Sequence, residues 1–408
     1  MKKKVLVISY TFHPSNEIGG RRWTKFVRLF LKHHNIDVKI ITSKYNKVEV
    51  TVNDIPSSLI EKISFNYFQF LGIVPRTFLE KILYKTCLIL SKFKTKFNYY
   101  DRAVHGSKNL LNATEKLINE GYNNVIVTVA PFHLARIVSE IIHKYPQVNF
   151  IVDFRDPWVN NETSFGYNSL SLKRKRLEQW AEEKVIKSFD GVVTVSDKLT
   201  NILKSRYPLS KSNFITIQNG FDENDLWKGK KVNSKKIKLI FAGTLYPNVN
   251  KYISHFKNSL EYLRVNDKDL FDKIEVSFYG PNNYKNFDFH NCVNTQNNLN
   301  LSEIHKNLFH ADIGLLFLSD DINYSFSTKF CEYIAYKLPI IVFSSQGETY
   351  DFIENNKIGF GISVDDDIDK LLLAIRSILF DRDKFYRKFK REKFNLEYLS
   401  SLYVNLLK

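Results

Sequence analysis

The feature that most constrains the fold is an alternation of short apolar runs with segments of helical spacing. In the first half of the chain, apolar runs at residues 5–9, 38–42 and 125–129 are accompanied by helix-period segments such as 21–33. Fully buried parallel strands appear in a sequence as short continuous apolar runs, and parallel strands require crossover connections that are usually helical. The pattern therefore predicts a doubly wound α/β domain with a parallel sheet.

The alternation continues and then begins a second time. Further elements of the first series are predicted as helices at 134–144 and 173–187 and strands at 150–153 and 191–195. After a basic, polar stretch, a second series contains predicted strands at 239–242, 273–279, 313–317 and 339–343. Two such series predict two Rossmann-like halves, which agrees with a chain of 408 residues being too long for one ordinary core.

The predicted domains are residues 1–222 and 223–385, followed by a terminal helix at 386–408 that can pack back on the first domain. The segment 60–100 interrupts the alternation with apolar residues scattered among Lys and Arg. Such a mixture suits an amphipathic insertion that lies at a membrane interface. It equally suits a helical hairpin packed on the domain.

Charge and cysteine content limit the partners and the compartment. The chain has 60 Lys+Arg and 43 Asp+Glu, and the net charge of +17 favours phosphates, acidic lipid or nucleic acid as partners. Cys87, Cys292 and Cys331 are far apart, which supports neither a disulfide framework nor a thiolate metal site. No segment has about 18 uncharged apolar residues. We expect a cytoplasmic protein, which could also be peripheral on the inner face of the cell membrane.

The first half carries candidate ligand-binding residues where predicted strands end. Gly19 and Gly20, followed by Arg21, lie between the first strand and its helix, where glycines permit close backbone approach and helix N–H groups favour a phosphate. Turns also use glycine, and the motif is not the GxGxxG of dinucleotide sites. Arg155 and Asp156 follow the strand at 150–153 and can recognise sugar hydroxyls or simply lock the loop.

The second half carries a second polar set. It comprises Gly243, Thr244, Ser327, Thr328, Lys329 and Glu332. Lys329 and Glu332 are three residues apart and share a helix face, where a lysine can contact phosphates and a carboxylate can accept two ribose hydroxyls. A helix-start ion pair is the alternative interpretation. The acidic runs at Asp320 and Asp365 lie beside predicted turns, where Asp caps and solvates, so we expect no metal site.

In this order and spacing, the motifs resemble glycosyltransferase family 4, a retaining group with the GT-B architecture. They are Gly19-Gly20, the run 153–158 (DFRDPW), 195–197 (VSD), 217–222 (IQNGFD), 241–246 (FAGTLY) and 327–335 (STKFCEYIA) with Pro339. The resemblance spans residues 1–345. It implies two Rossmann-like domains facing a central cleft, with the donor nucleotide on the C-terminal domain and the acceptor mainly on the N-terminal domain.

The resemblance also implies roles for individual residues. Glu332 would bind the ribose hydroxyls, with Ser327, Thr328 and Lys329 near the diphosphate. Gly243 and Thr244 would lie beside the phosphate, and Gly19-Gly20 would close over it. His133 corresponds to the family's cleft histidine near the transferred sugar, although from position alone a lone histidine is more often structural.

This chain departs from the family's usual pattern at its phosphate-binding set. Tyr324 stands where the family's first glutamate is usual, and Thr244 and Val249 stand where an arginine and a lysine would form a phosphate clamp. Arg21, Arg155 and Lys251 are candidates to compensate.

The predicted function is transfer of a sugar from a UDP- or GDP-linked donor to a glycan or polyprenyl-linked acceptor in surface-polysaccharide synthesis. The predicted catalytic residues are His133, Lys329 and Asp156, with Arg21 and Arg155 contacting acceptor or phosphate, and neither a cofactor nor a metal is expected. The alternatives are a nucleotide-sugar epimerase of the same architecture and a non-enzymatic basic protein that binds membrane or nucleic acid.

Overall fold

A computed structural model describes most of the chain as two compact units. The described residues are 2–14, 18–44, 55–65, 71, 75, 77–94, 101–159, 167, 170–232, 234–280, 293–296, 299–322 and 324–408. Cys292 and much of the predicted insertion at 60–100 lie outside them. Unit 1 comprises Met1–Ile217 with Ser400–Lys408, and unit 2 comprises Gln218–Leu399.

Unit 1 is built on a seven-stranded parallel sheet. Its strands are β1 (Lys4–Ser9), β2 (Asp37–Ser43), β3 (Ile60–Ile63), β4 (Asn124–Val129), β5 (Asn149–Phe154), β6 (Gly191–Thr194) and β7 (Asn213–Thr216), in the spatial order β3-β2-β1-β4-β5-β6-β7. Its helices are α1 (Ile18–His33), α2 (Phe78–Lys94), α3 (Ser107–Asn119), α4 (His133–Val138), α5 (Leu172–Ser188) and α6 (Asp197–Arg206). Strands β4 and β5 are buried along their whole length, as their largely apolar sequences favour.

Unit 2 repeats this plan with a six-stranded parallel sheet. Its strands are β8 (Ile237–Ala242), β9 (Ile274–Tyr279), β10 (Val293–Gln296), β11 (Ile313–Phe317), β12 (Ile340–Phe343) and β13 (Gly359–Ile362), in the spatial order β10-β9-β8-β11-β12-β13. Its helices are α7 (Asn250–Asn266), α8 (Lys268–Phe271), α9 (Leu301–His310), α10 (Thr328–Ala335), α11 (Glu348–Asn355) and α12 (Lys370–Phe380), and the last helix of the chain is α13 (Leu396–Val404).

The chain order of the strands creates one switch point in each sheet. In unit 1 the strand order reverses between β1 and β4, and in unit 2 it reverses between β8 and β11. In open parallel sheets, ligands bind in the crevice beyond the carboxyl ends of the strands at such a point. Both crevices therefore follow from topology, before any side chain is considered.

Three sequence-based bounds differ from those of the structure. Phe221 belongs to unit 2, because its N–H donates to Phe394 O at 2.9 Å and its carbonyl accepts from Leu396 N at 2.9 Å. The predicted helix at 134–144 ends at Val138, and a separate 3₁₀ turn covers Ile142–Lys144. The terminal segment is α-helical only over Leu396–Val404, after a 3₁₀ turn at Arg391–Phe394, and the preceding residues Phe385 and Phe394 are buried in the core of unit 2.

Candidate functional site

The switch point of unit 2 opens because β8 and β11 pair over a short stretch. Only Ile313 with Leu239 and Gly314 with Ile240 are in register, whereas β8 and β9 are paired along their whole length. The Tyr333 hydroxyl from α10 takes the place of the missing strand pairing, donating towards Ile240 O at 3.2 Å and Leu315 O at 3.0 Å. Gly314 permits this, since a Cβ there would lie 2.5 Å from the Tyr333 ring. Tyr333 was not among the predicted residues, and its only sequence signal is its place on the apolar face of α10.

Gly243 and Lys329 meet at this switch point. Gly243 follows β8 directly, has a φ of +150°, and donates its N–H to Tyr279 O at 2.6 Å. A Cβ on Gly243 would lie 1.7 Å from Cε and 2.6 Å from Nζ of Lys329, so the lysine stem covers the glycine backbone. The ammonium group lies 5.5 Å from the centre of the Phe241 ring. We call the site formed by Gly243, Lys329 and the N-terminus of α10 the β8–α10 crevice.

The electrostatics of the β8–α10 crevice favour an anion. Burial lowers the pKa of Lys329, and Glu332 one helical turn further on opposes that shift. A lysine whose ammonium has lost water gains more from an oxyanion than an exposed one does. The positive end of the α10 dipole adds to the same field.

The start of α10 places the remaining predicted residues of this half. The Ser327 hydroxyl accepts a hydrogen bond from Phe330 N at 3.2 Å and so caps the helix, which leaves its proton to donate elsewhere. Thr328 is exposed at the first helical position, while Thr244 and Glu332 are half-buried. The structure therefore brings the lysine, the glycine and the helix cap together, with Glu332 on the next turn.

The positions that depart from the family pattern are occupied by groups with other partners. Val249 is buried in the core of unit 2, and Tyr324 is 7% exposed. Lys251 forms an ion pair with Asp320, which also accepts from the Tyr252 hydroxyl. Lys251 is thus engaged elsewhere and is not arranged as a second phosphate clamp. Among the described residues, no group of three His, Cys, Asp or Glu side chains could hold a metal ion.

The switch point of unit 1 brings Gly19, Gly20 and Arg155 together. Arg155 donates from Nε to Val129 O at 3.1 Å and from Nη2 to Ala130 O at 3.2 Å, across the end of β4. A Cβ on Gly19 would lie 2.7 Å from Nη1 of Arg155, and one on Gly20 would lie 3.1 Å from Thr11 O after β1. A side chain at either position would therefore require the Arg155 guanidinium or the Thr11 backbone to shift.

Charge at this second crevice is concentrated on Arg155. Burial lowers the pKa of Arg155, and the carboxylates of Asp156 and Asp153 counteract the shift. Asp156 is half-buried and Arg21 is exposed in the first turn of α1. The predicted Arg155 and Asp156 thus stay close to the strand ends, as expected for an α/β site.

His133 occupies the interior of unit 1. Its ring is enclosed by polar and aromatic neighbours: Arg136 Nε donates to Nδ1 at 2.9 Å, and Nε2 lies 3.0 Å from Oε2 of Glu178. Because Nδ1 accepts, Nε2 carries the proton and donates to Glu178. The ring also packs edge-on against Trp158, and the residue is 1% exposed. Both ring nitrogens of His133 are hydrogen-bonded in the interior, so neither is directed towards a substrate. In this arrangement His133 stabilises the fold.

Two carboxylates of α5 hold the loop that carries Asp156. Glu178 accepts from Trp158 Nε1 at 2.8 Å, and Glu182 accepts from Val159 N at 2.8 Å. Burial disfavours the ionised form of Glu178, but hydrogen bonds from His133 and Trp158 and the charge of Arg174 outweigh it and lower its pKa. This support was not predicted, because Glu178 lies far from the loop in sequence.

Comparison with known proteins agrees with this arrangement. Residues 248–382 match the model of the glucosyltransferase 3-like C-terminal domain, which covers most of unit 2. The chain is a glycosyltransferase of the GT-B fold. No curated protein sequence matches it.

Solved structures show the same two-sheet fold across the whole chain. Sucrose-phosphate synthase from Thermosynechococcus elongatus has a TM-score of 0.63 at 12% identity, covering 99% of this chain and 98% of its own. WaaG, a glycosyltransferase involved in lipopolysaccharide biosynthesis, has a TM-score of 0.57 at 13% identity, covering 99% of both chains. A putative UDP-N-acetylglucosamine 2-epimerase from Listeria monocytogenes has a TM-score of 0.55 at 10% identity, covering 99% of this chain and 95% of its own. At these identities the likeness concerns the fold.

Proposed function

We propose that this glycosyltransferase takes its sugar from a nucleotide-sugar donor whose diphosphate binds in the β8–α10 crevice. The observation that carries the proposal is the stacking of Lys329 over Gly243 at the switch point of the sheet. Backbone N–H groups at the start of α10 and the Ser327 proton supply further donors for phosphate oxygens. Glu332, one turn along α10, accepts the two ribose hydroxyls of the nucleotide.

The chemistry needs no metal and no protein nucleophile. The bond between the anomeric carbon and the diphosphate oxygen breaks, and the acceptor hydroxyl oxygen forms the new bond on the same face of the sugar. The acceptor proton passes to the leaving phosphate. The cost of this step is the charge that develops on the diphosphate, and preorganised cations and helix N–H groups stabilise that charge. Lys329 is the catalytic residue in this scheme.

We assign the acceptor side to unit 1. Asp156 and Arg155 lie at the ends of its strands with Gly19 and Gly20, where hydroxyl and phosphate groups can approach the backbone. Asp156 orients the acceptor hydroxyl, and Arg155 or the exposed Arg21 contacts phosphate of a polyprenyl-linked acceptor. His133 becomes a positioning residue, acting through Glu178 and Trp158 on the loop that carries Asp156.

Replacing Glu332 by alanine tests the assignment of the nucleotide. We expect affinity for UDP or GDP to fall about 10- to 100-fold, because two charge-assisted hydrogen bonds are lost. Titration calorimetry of the full chain with both nucleotides measures this. Glu261→Ala, which removes an exposed carboxylate on α7, serves as the matched control and should leave affinity unchanged. Equal affinity in Glu332→Ala and wild type would remove the ribose role.

We propose further that helix α2 docks the enzyme on an acidic lipid surface, where a lipid-linked acceptor resides. Its apolar side chains face outward rather than inward: Phe78, Leu79, Ile82, Leu83, Ile89, Leu90 and Phe93 are all exposed. The opposite face holds the helix on unit 1, where Ser91 Oγ lies 3.0 Å from Nε2 of His105. The exposed Lys81 and Lys85 and the net charge of +17 suit anionic headgroups. No helix within the described residues has the length and apolar character to cross a membrane.

Charge substitutions on α2 test this docking. Leu79→Glu with Ile89→Glu should reduce binding to anionic phosphatidylglycerol vesicles at least tenfold, because two apolar side chains no longer enter the interface. Leu172→Glu with Leu209→Glu changes two leucines of unit 1 outside α2 that are more exposed than Leu79 and Ile89, and should keep binding. Vesicle co-flotation measures the partition. If the two double variants bind alike, α2 is not the docking surface.

Epimerisation of the donor is the alternative that the fold also permits, since a putative 2-epimerase shares it. An epimerase acts on the donor alone. Incubating the chain with UDP-N-acetylglucosamine in the absence of acceptor, followed by chromatography of the sugar, separates the two activities. An isomerised sugar supports the epimerase, and an unchanged donor supports transfer.

A further inference from the structure

A small cavity lies at the carboxyl end of the sheet in unit 2, beyond β11 and β12. It is lined by Leu318, Ser319, Ile322, Ser344, Gly347 and Thr349, among others, and its volume is about 10 Å³. That volume is room for about one water-sized oxygen. Ser319 follows β11 and Ser344 follows β12 directly, so the cavity opens between the ends of neighbouring strands.

Two of the hydroxyls in this cavity have no hydrogen-bond partner within the described part of the chain. They belong to Ser319 and Ser344, which are 3% and 4% exposed. Buried hydroxyls are nearly always bonded, because an unsatisfied one costs about 1–3 kcal/mol. The neighbouring hydroxyls are engaged: Thr349 donates to Ser325 O at 3.1 Å, and Ser345 bonds with Asp320 and Tyr252. Ser319 and Ser344 are therefore the hydroxyls available to a ligand.

The groups around the cavity determine which kind of ligand it can bind. Helix α11 begins at the cavity, and because its cap residue Gly347 has no side chain, the cap supplies no acceptor for the first N–H groups of the helix. Glu348 and Asp351 lie in the first turn of α11, and Asp320 is close to Ser345. These carboxylates disfavour an anion, while two serine hydroxyls and helix N–H groups suit a neutral oxygen that both donates and accepts. A sugar hydroxyl has that chemistry and that size.

The cavity is also within reach of the β8–α10 crevice. Strands β8, β11 and β12 are consecutive in the sheet, and neighbouring strands lie about 5 Å apart, which sets Ser319 and Ser344 about 5–10 Å from the end of β8. The Thr349 bond to Ser325 O joins α11 to the loop that leads into α10. A sugar attached to a diphosphate at Gly243 can span this separation.

We propose that the cavity is a subsite for one hydroxyl group of the transferred sugar, which is recognised by Ser319 and Ser344. The proposal rests on the donor site assigned to the β8–α10 crevice. The two serines bond the hydroxyl and discriminate against donors that lack it or carry a bulkier group there, because the cavity admits a single oxygen.

Calorimetry on the full chain with UDP, GDP, UDP-glucose, UDP-galactose and GDP-mannose tests this. For the best-binding nucleotide sugar, Ser319→Ala and Ser344→Ala should each weaken affinity about 3- to 10-fold, the effect of one lost hydrogen bond, and leave affinity for the free nucleotide unchanged. The matched control is Ser259→Ala, which removes another buried hydroxyl without a partner in unit 2 and should change neither affinity. Because the removed hydroxyls are unbonded, the melting temperatures of all three variants should not fall below that of the wild type.

Monodeoxy analogues of the best-binding donor complete the test. One analogue should bind the wild type more weakly than the complete donor does, by the same factor as the serine substitutions. Its affinity for Ser344→Ala should be no lower than that of the complete donor, since both changes remove the same hydrogen bond. If free nucleotides bind but the serine variants bind the nucleotide sugar as tightly as wild type, the cavity holds only a structural water and the proposal fails while the donor site stands. If neither nucleotides nor nucleotide sugars bind wild type, the donor site and the subsite both fail.

Discussion

Replacing Lys329 by methionine is expected to lower kcat/KM for sugar transfer by about two to three orders of magnitude. Methionine keeps an apolar stem over Gly243 and removes the ammonium that faces the leaving diphosphate. Loss of a single preorganised donor to developing negative charge costs about 10²–10³ in rate. The decrease should fall mainly on kcat, because charge on the diphosphate grows in the transition state. Initial-rate measurements with the donor identified by binding provide the two constants.

Two further variants separate charge from packing at this site. Lys268→Met removes an exposed positive charge from α8 and should leave both constants unchanged. Gly243→Ala should also lower kcat/KM, because it displaces the Lys329 side chain. A Cβ there would lie 1.7 Å from Cε of Lys329, and the φ of +150° disfavours any side chain. A Lys329→Met enzyme that retains wild-type kcat would contradict the assigned role.

The sequence predicted the sheets well, because their central strands are continuous apolar runs. Strands β1, β4, β5, β8, β11 and β12 lie within a residue or two of their predicted bounds. The strands that escaped prediction are short edge or outer strands. Of these, β10 (VNTQ) has a polar sequence and β13 (GFGI) contains two glycines, so neither has a distinctive apolar pattern. Edge strands are recognisable only from their neighbours in the sheet.

The candidate site of unit 2 could be predicted because its residues are close in sequence or follow strand ends. Lys329 and Glu332 share one helix, and topology brings Gly243 to them. The role of His133 could not be predicted in this way. Its partner Glu178 lies on another helix, and no local pattern reveals that both ring nitrogens of His133 are hydrogen-bonded in the interior.

The orientation of α2 and the missing partners of the cavity hydroxyls also could not be predicted from the sequence. An apolar and basic segment at 60–100 is compatible with a packed hairpin or an interfacial helix, and the described part of it has its apolar face outward. Ser319 and Ser344 are two serines after strands, and nothing in the sequence distinguishes them from capping residues. Their lack of partners emerges only from three-dimensional packing.

Replacing Asp153 is expected to have the second large effect, which is on stability rather than on turnover. This carboxylate is fully buried in unit 1, where it accepts from Trp23 Nε1 at 2.7 Å and from the Tyr403 hydroxyl at 2.9 Å. Arg22 lies 3.6 Å from it and donates to Ile217 O at 2.6 Å. Burial opposes the charge of Arg22, but Tyr403 and Asp153 outweigh it and raise its pKa. The group thus ties residues from the start, middle and end of the chain into one unit.

Replacing Asp153 by alanine should lower the free energy of unfolding of unit 1 by about 3–5 kcal/mol, because it leaves the Arg22 charge buried without its partner. Tyr403→Phe, which removes one hydrogen bond, should cost about 1 kcal/mol. Asp197→Ala, at an exposed position on α6, is the control and should change the free energy by less than about 0.5 kcal/mol.

Urea unfolding followed by tryptophan fluorescence measures these differences in a Trp227→Phe background. Trp23, Trp158 and Trp180 lie in unit 1 and Trp227 lies in unit 2, so this background reports unit 1 alone. A separate signal is needed because two units need not unfold in one transition. If Asp153→Ala is no more destabilising than Tyr403→Phe, the Arg22 charge finds another partner and the buried pair is not what holds the C-terminal residues on unit 1.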